Sequence, residues 1–226
     1  MCIIIVNRTT KLNKEIIETS WTNNSDGAGL LYIDSKGNFQ CYKTMGNRKE
    51  YIKKYNVARK ETTLPIILHF RIATHGEVTT KNIHPFRVNS NLFFAHNGII
   101  DIETTNKVSD TVAFNERILK NLPTNFLLND ATKELIENYI DHSKLVFMNK
   151  QGYVSILNEH LGNIDKKGNW FSNYSYTEHT FKKSAVTTNY DETLDYCLEC
   201  RTYLQSTKEF ERGFCNVCNE DFDLGM

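Results

Sequence analysis

The first residues of the chain place a thiol directly in front of an apolar run. Cys2 precedes Ile3-Ile4-Ile5-Val6, which has the length of one strand and is apolar on both faces. A strand of this kind packs inside a layered domain and would hold Cys2 rigidly. Removal of Met1 would give Cys2 a free α-amine that can accept the thiol proton. The pattern predicts either an N-terminal cysteine nucleophile or an inert buried cysteine.

Several later segments combine histidine, arginine, asparagine and glycine. They read His69-Phe70-Arg71-Ile72-Ala73-Thr74-His75-Gly76, Asn82-Ile83-His84-Pro85-Phe86 and Phe94-Ala95-His96-Asn97-Gly98-Ile99-Ile100. The turn Asn24-Ser25-Asp26-Gly27-Ala28-Gly29 precedes them, and Ser109-Asp110-Thr111 follows them. With Cys2, these segments resemble the glutaminase domain of class II glutamine amidotransferases, a branch of the N-terminal nucleophile hydrolases. Small stand-alone members also carry a segment similar to Trp170-Phe171-Ser172-Asn173.

Asn97 and Gly98 are the candidate oxyanion hole. Hydrolysis of a glutamine side chain passes through a tetrahedral intermediate, whose oxyanion requires hydrogen-bond donors that are already in place. An asparagine amide beside a glycine N–H supplies two donors, and glycine allows close approach of the backbone. The resemblance implies the same role for these two residues.

The remaining candidate residues would recognise the α-groups of a free amino acid. A guanidinium binds a carboxylate through two parallel hydrogen bonds, so Arg71 is the candidate for the carboxylate. The resemblance implies that Asp110 binds the α-ammonium and that Thr74 and His75 line the pocket. Two structural alternatives stand beside these roles: Arg71 on the solvated face of a strand, and Asp110 as a helix cap.

Two positions depart from the commonest pattern of the family, and three histidines have a structural interpretation. Ile3 stands where many members have glycine, and Gly27 replaces a frequent serine. These departures argue against assignment to a particular synthase. We expect His69, His84 and His96 to be hydrogen-bonded within the core, since they lack a zinc-hydrolase spacing such as H-E-x-x-H.

Composition favours a globular enzyme in the cytoplasm. Of 226 residues, 40% are hydrophobic, and 27 basic residues balance 27 acidic ones. A neutral chain without long charged blocks gives no reason to expect capture of nucleic acid or an anionic membrane. The sequence shows neither a bilayer-spanning apolar run nor the features of a signal peptide. No organic cofactor is expected.

Apolar periodicity predicts an α+β fold. We expect a helix around Leu12, Ile16 and Ile17, and further helices at about 111–122 and 131–140. Two hairpins are predicted, at 29–42 and 144–157. The resemblance sharpens this prediction to the four-layer αββα sandwich of the N-terminal nucleophile hydrolases.

Four cysteines near the C-terminus form two C-x-x-C pairs. The pairs are Cys197 with Cys200 and Cys215 with Cys218, a spacing close to that of a zinc ribbon. Four thiolates would close the coordination sphere of a structural zinc ion; two disulfides or unrelated thiols are the alternatives. The sequence thus divides into a predicted amidotransferase domain at residues 1–190 and a zinc-ribbon-like segment at residues 191–226. We expect Cys41 to be a core residue.

The predicted activity is hydrolysis of L-glutamine through a γ-glutamyl thioester on Cys2. The ammonia would pass to a synthase or other partner protein, since the residues after the predicted glutaminase domain are too few to form a synthase. One alternative is hydrolysis of another amide, such as a γ-glutamyl conjugate or an acylated amine. Another is an inactive scaffold that recruits partners through the zinc segment. The sequence leaves open whether this segment docks a partner, binds nucleic acid or only caps the domain, although its charges do not resemble those of a dedicated DNA reader.

Overall fold

Two antiparallel sheets form the centre of the protein. The computed structural model describes residues 2–72, 79–105 and 108–177, together with Leu204 and Cys215. The first sheet has the strand order β3-β2-β4-β1-β10-β9 and the second has the order β5-β6-β7-β8. The strands are β1 (Ile3–Asn7), β2 (Gly27–Ile33), β3 (Phe39–Thr44), β4 (Ile66–Arg71), β5 (Phe86–Asn89), β6 (Leu92–Asn97), β7 (Lys144–Asn149), β8 (Val154–Leu157), β9 (Asn163–Ile164) and β10 (Trp170–Phe171).

The helices of the described residues begin at polar caps. They are α1 (Lys14–Asn23), α2 (Arg48–Glu61), α3 (Asp110–Arg117) and α4 (Asp130–Ile140). A side-chain oxygen of the preceding residue accepts a hydrogen bond from a backbone N–H of the first turn in each of them. The capping residues are Asn13, Asn47, Ser109 and Asn129.

Three hydrophobic clusters place these elements in four layers. One joins the first sheet to α1 and α2, and includes Phe70, Trp21 and Tyr51. A second joins the two sheets and includes Ile4 and Val146. The third lies between the second sheet and α3 with α4. Because residues alternate between the faces of a strand, each central strand serves two clusters, and the order of layers is αββα.

Strand β1 is the buried strand that the sequence predicts. All five of its residues are buried, and it pairs with β4 on one side and β10 on the other. Ile3, which stands where glycine is common, is fully buried against the α1 and α2 layer. The predicted hairpins are also present, as β2 with β3 and β7 with β8.

Two predicted helix boundaries and one burial prediction are wrong. Helix α1 begins after Leu12, whose N–H donates to the Tyr55 hydroxyl at 2.7 Å. Helix α3 ends at Arg117 and gives way to a 3₁₀ turn at Leu119–Asn121, just before Pro123. Cys41 is exposed rather than part of the core, because β3 is the edge strand of its sheet.

Among the described residues, no helix combines the length and apolar character needed to cross a membrane.

Candidate active site

Cys2 lies where three strands of the first sheet end. Strand β4 lies between β1 and β2, and Arg71 at its end pairs with Gly27 while Phe70 pairs with Ile3. The Cys2 Sγ lies 3.4 Å from the Ile72 carbonyl oxygen. This sheet register therefore brings the candidate nucleophile beside the candidate carboxylate-binding arginine, although 68 residues separate them in the sequence.

The second sheet contributes Asn97 to the same place. Asn97 ends β6, is only 1% exposed, and donates its side-chain amide to the Cys2 carbonyl oxygen. Its own Oδ1 is buried and has no hydrogen-bond partner. The amide has two N–H groups, so one can hold Cys2 while the other remains for a ligand.

Gly98 follows Asn97 in a conformation that favours glycine. Its φ is +140°, and a Cβ there would lie 2.2 Å from the Ser143 Oγ. The Ser143 hydroxyl donates to the Ile99 carbonyl at 2.8 Å and thereby fixes the next residue. A side chain at position 98 would therefore displace the backbone on which the predicted oxyanion hole depends.

Gly27 has a similar constraint, which explains one departure from the family pattern. Its φ is also +140°, and a Cβ would lie 2.7 Å from Ile83 Cδ1. A serine would be strained here unless Ile83 and the backbone moved. The glycine therefore suits the way the segment before β5 packs on the end of β2.

Arg71 lies inside the protein and not on a solvated strand face. It is 5% exposed, and its backbone carbonyl accepts a hydrogen bond from the Asp26 N–H at 2.9 Å. A guanidinium is rarely buried without a structural or binding role. The structural alternative of a solvated strand face is therefore wrong for this residue.

Asp110 is the first residue of α3, and Ser109 is the cap. The Ser109 Oγ accepts from the Val112 N–H, so the alternative that made Asp110 the capping residue is wrong. The Asp110 carboxylate accepts from the Ile100 N–H at 2.8 Å and the Thr111 N–H at 2.7 Å. Asp110 thus ties the loop after Gly98 to the start of α3.

Burial raises the pKa of the Cys2 thiol above its ordinary value, and the nearby positive charge of Arg71 only partly opposes this effect. A thiol with a raised pKa is mostly protonated at neutral pH, and nucleophilic attack requires the thiolate. To act as a nucleophile, Cys2 would need a proton acceptor close to its sulfur.

The three core histidines form a buried group behind these residues. His84 Nδ1 and His69 Nε2 are 2.8 Å apart, and His96 Nδ1 lies 2.7 Å from the Thr111 hydroxyl. Burial lowers the pKa of His69 to about 3 and that of His96 to about 4, and lowers the pKa of His84 well below its ordinary value. These side chains are neutral at neutral pH and act as hydrogen-bonded packing.

One contact was not expected from the sequence. Asn173 follows β10, is buried, and donates its Nδ2 to the Cys2 carbonyl oxygen at 2.8 Å. The segment Trp170-Phe171-Ser172-Asn173 resembles one in small class II glutamine amidotransferases, but this resemblance assigns no role to Asn173. A contact between residues 171 positions apart has no local signal, because only the pairing of β1 with β10 creates it.

The other predicted site residues give less information. Thr74 and His75 lie outside the described residues, as do Cys197, Cys200 and Cys218. Cys215 is described and is buried. Within the described part of the chain, no group of three or more histidine, cysteine or acidic residues is arranged to hold a metal ion.

The central segment of the chain is similar to known proteins. The family model described as "Glutamine amidotransferases class-II" matches residues 25–116. A glutamine–fructose-6-phosphate aminotransferase (isomerizing) of Buchnera aphidicola is 39% identical over 80 residues, covering 35% of this chain and 13% of the relative. A protein of the same name from Idiomarina loihiensis is 34% identical over 76 residues, covering 34% and 12%. The match thus spans about an eighth of either relative.

The solved structures that resemble this one include an amidotransferase. Glutamine phosphoribosylpyrophosphate amidotransferase from B. subtilis, complexed with ADP and GMP, superposes with a TM-score of 0.46 at 16% identity. The superposition covers 76% of this chain and 41% of that one. The family model and the relatives agree that the central segment of this chain is similar to class II glutamine amidotransferases.

Proposed function

We propose that the protein is a glutaminase with Cys2 as an N-terminal nucleophile, and that it has the mechanism of the N-terminal nucleophile hydrolases. It hydrolyses the side-chain amide of L-glutamine and passes the ammonia to an acceptor on a partner protein. The observation that carries the proposal is the convergence of Cys2, Asn97, Gly98 and Arg71 from two different sheets. The match to class II glutamine amidotransferases supports the same substrate.

The chemistry begins once Met1 has been removed. The α-amine of Cys2 takes the thiol proton, and the thiolate attacks the amide carbon of glutamine. The second N–H of the Asn97 amide and the Gly98 N–H donate to the oxyanion. The α-ammonium then returns the proton to the leaving nitrogen, which departs as ammonia. Water attacks the remaining γ-glutamyl thioester, and glutamate leaves with the thiol restored.

In this proposal Arg71 and Asp110 bind the α-carboxylate and the α-ammonium of glutamine, and Thr74 and His75 line the pocket. The guanidinium of Arg71 would bind the α-carboxylate through two hydrogen bonds. The carboxylate of Asp110 has about four lone pairs, so its two backbone contacts leave capacity for the α-ammonium. A substrate without these α-groups would lose the charge-assisted hydrogen bonds to both residues.

A steady-state assay with Cys2→Ala tests the nucleophile. We expect the wild-type protein, checked for loss of Met1, to release glutamate and ammonia from glutamine. The alanine variant should retain the fold and lose turnover entirely, because no thioester can form. Glutaminase activity that persists in Cys2→Ala would exclude this mechanism. Hydrolysis of γ-glutamyl conjugates in place of glutamine would favour the alternative substrate class.

The proposal also includes a structural zinc ion in a second unit at residues 191–226, beside the amidotransferase domain at residues 1–190. Cys215 is buried, and four cysteine thiolates are a donor set that zinc prefers. Protein purified under reducing conditions should contain about one zinc ion per chain by elemental analysis. Cys215→Ser should lower this content, whereas Cys41→Ser, at an exposed thiol of β3, should not. Absence of zinc from the reduced wild-type protein would exclude the metal site.

A further inference from the structure

We propose that Asn173 is a positioning residue for the nucleophile, which it holds through the Cys2 carbonyl. Its Nδ2 donates to that oxygen at 2.8 Å, and the side chain is 2% exposed. The inference rests on the proposed function, because it assigns Asn173 a part in the reaction of Cys2. Asn173 does not contact the Cys2 sulfur, so its effect is on the placement of the residue and not on the chemistry itself.

The orientation of the Asn173 amide is fixed by Ser175. The Asn173 Oδ1 accepts from the Ser175 N–H at 3.0 Å and from the Ser175 hydroxyl at 2.8 Å. A flipped amide would place its NH₂ group against the Ser175 N–H and its oxygen against the Cys2 carbonyl. The two donor groups would repel each other, and so would the two oxygens. The hydrogen bonds therefore allow only one orientation of the Asn173 amide.

The same segment is joined to the end of α1 and to the turn before β2. The Asn24 Nδ2 donates to the Ser175 Oγ at 3.1 Å, and the Asn23 Nδ2 donates to the Ser175 carbonyl at 2.9 Å. This turn leads into Gly27, which pairs with Arg71. The segment 173–175 therefore connects the nucleophile to the strand end that carries the candidate carboxylate-binding arginine.

Ser172 extends this connection along β1 through its side chain and its backbone. The Ile4 N–H donates to the Ser172 Oγ at 2.8 Å, and the Ser172 N–H donates to the Ile4 carbonyl at 2.9 Å. Asn173 continues the pairing to Cys2 with its side chain, where the backbone ladder of β1 and β10 has ended. Cys2 is thus held although it lies outside the strand.

Asn97 and Asn173 donate to the same carbonyl oxygen, which has two lone pairs. In the proposed reaction the Asn97 amide must also donate to the oxyanion, and its geometry will shift as the intermediate forms. Asn173 has no such second task. It keeps the Cys2 carbonyl paired and the Cα in place while Asn97 responds to the substrate.

The test compares Asn173→Asp and Ser175→Ala with a matched control, Asn169→Asp. The carboxylate introduced by Asn173→Asp would retain the acceptor for Ser175 but present an oxygen to the Cys2 carbonyl in place of the amide donor. Asn169 is equally buried next to β10, but it bonds Asn7, Arg8 and Asp165 instead of Cys2. Every protein is first confirmed by mass to lack Met1, and its folded fraction is measured.

Two readouts separate positioning from general stability. The first is kcat and KM for glutamine. The second is the rate of iodoacetamide alkylation of Cys2 across pH, measured by peptide mapping and compared between each variant and the wild-type protein, with Cys41 on the edge strand β3 as an internal reference that all variants share. The second readout does not require turnover, so it decides the inference even if the wild-type protein does not hydrolyse glutamine.

We expect Asn173→Asp to lower kcat by about 100-fold, the order of effect for a misplaced reacting group, with little change in KM. The carboxylate near Cys2 should also shift its alkylation to higher pH, because it disfavours the thiolate. Of the two bonds to the Asn173 Oδ1, Ser175→Ala removes only the one from the hydroxyl, and it adds no charge, so it should lower kcat and change the rate of Cys2 alkylation by smaller factors without shifting the pH of alkylation. Asn169→Asp should change neither readout. A folded Asn173→Asp protein with wild-type kcat and Cys2 alkylation would overturn the inference. So would an equal loss in Asn169→Asp. If Asn173→Asp does not fold, a wild-type result for Ser175→Ala overturns it.

Discussion

The carboxylate of Asp110 accepts two backbone hydrogen bonds inside the protein, from Ile100 and Thr111. One of these bonds fixes the loop that begins at Gly98, so Asp110 supports the predicted oxyanion hole in addition to the contact with the α-ammonium that we propose for it. Residues with two tasks are hard to assign from sequence, because either task alone accounts for the residue type. The motif Ser109-Asp110-Thr111 indicates a functional position, but it does not distinguish these contacts.

Arg71 is the residue whose chemistry is most specific in the proposed pocket. Arg71→Lys should raise KM for glutamine by about tenfold or more, because an ammonium cannot form two parallel hydrogen bonds to a carboxylate. The expected change in kcat is smaller, since the head group is bound in the ground state as well as in the transition state. Steady-state kinetics at saturating and limiting glutamine would measure both constants.

The control for this substitution is Arg87→Lys, at an exposed position of β5. It makes the same change of side chain away from Cys2 and should leave KM unaltered. A KM that is the same in Arg71→Lys as in the control would remove Arg71 from the glutamine pocket.

At the scale of elements, the histidines link β4 and β6 with the segment before β5. His69 lies on β4, His96 on β6, and His84 between them, with ring centroids 4.2 Å apart for His69 and His84 and 6.2 Å apart for His84 and His96. Protonation of one ring would place a charge close to the others and to Arg71. The group therefore stabilises the fold only while it is neutral.

Because the three histidines are neutral in the folded protein, we expect the protein to lose stability at acidic pH. The folded pKa values lie below the unfolded value of about 6.5, so between these values the unfolded chain binds more protons than the folded one. The stabilisation that depends on neutral histidines is fully present above about pH 6.5, and the free energy of unfolding falls as the pH decreases below this value. Each histidine contributes at most about 1.4 kcal/mol per pH unit to the slope of the free energy of unfolding. Denaturant unfolding between pH 7 and 5 would measure the slope.

Variants of a buried and an exposed histidine complete that experiment. His84→Gln should show a shallower dependence on pH, and His160→Gln, on the surface, should retain the wild-type slope. A free energy of unfolding that does not change between pH 6.5 and pH 5 would contradict the neutral state of the group.

The elements differ in how far the sequence predicts them. Strand β1 and the two hairpins follow from apolar runs and turn residues, which are local signals. Helix α2 has no counterpart among the predictions, because its polar residues outnumber the buried Tyr51, Tyr55 and Ala58. Its cap, Asn47, and the spacing of these three residues were the available signals. Tertiary packing against the first sheet accounts for the rest.

At the scale of the whole molecule, the candidate site lies at the seam between the two sheets. Cys2 and Arg71 come from the first sheet, Asn97 and Gly98 from the end of the second, and Asn173 from the segment after β10. The motifs predict which residues belong together because their order resembles a family. Their distances depend on sheet register and layer packing, which no local pattern encodes. For this reason the sequence indicates Asn97 but not the Asn173 contact.

The central claim is that Cys2 becomes an N-terminal nucleophile within a pocket for glutamine. Intact-protein mass spectrometry before and after treatment with 6-diazo-5-oxo-norleucine, a reactive glutamine mimic, tests it most directly. We predict a wild-type mass without Met1 that gains one adduct, mapped to Cys2, and no adduct on Cys2→Ala. Excess glutamine should slow the labelling. Retention of Met1, or an adduct that persists in Cys2→Ala, would contradict the claim.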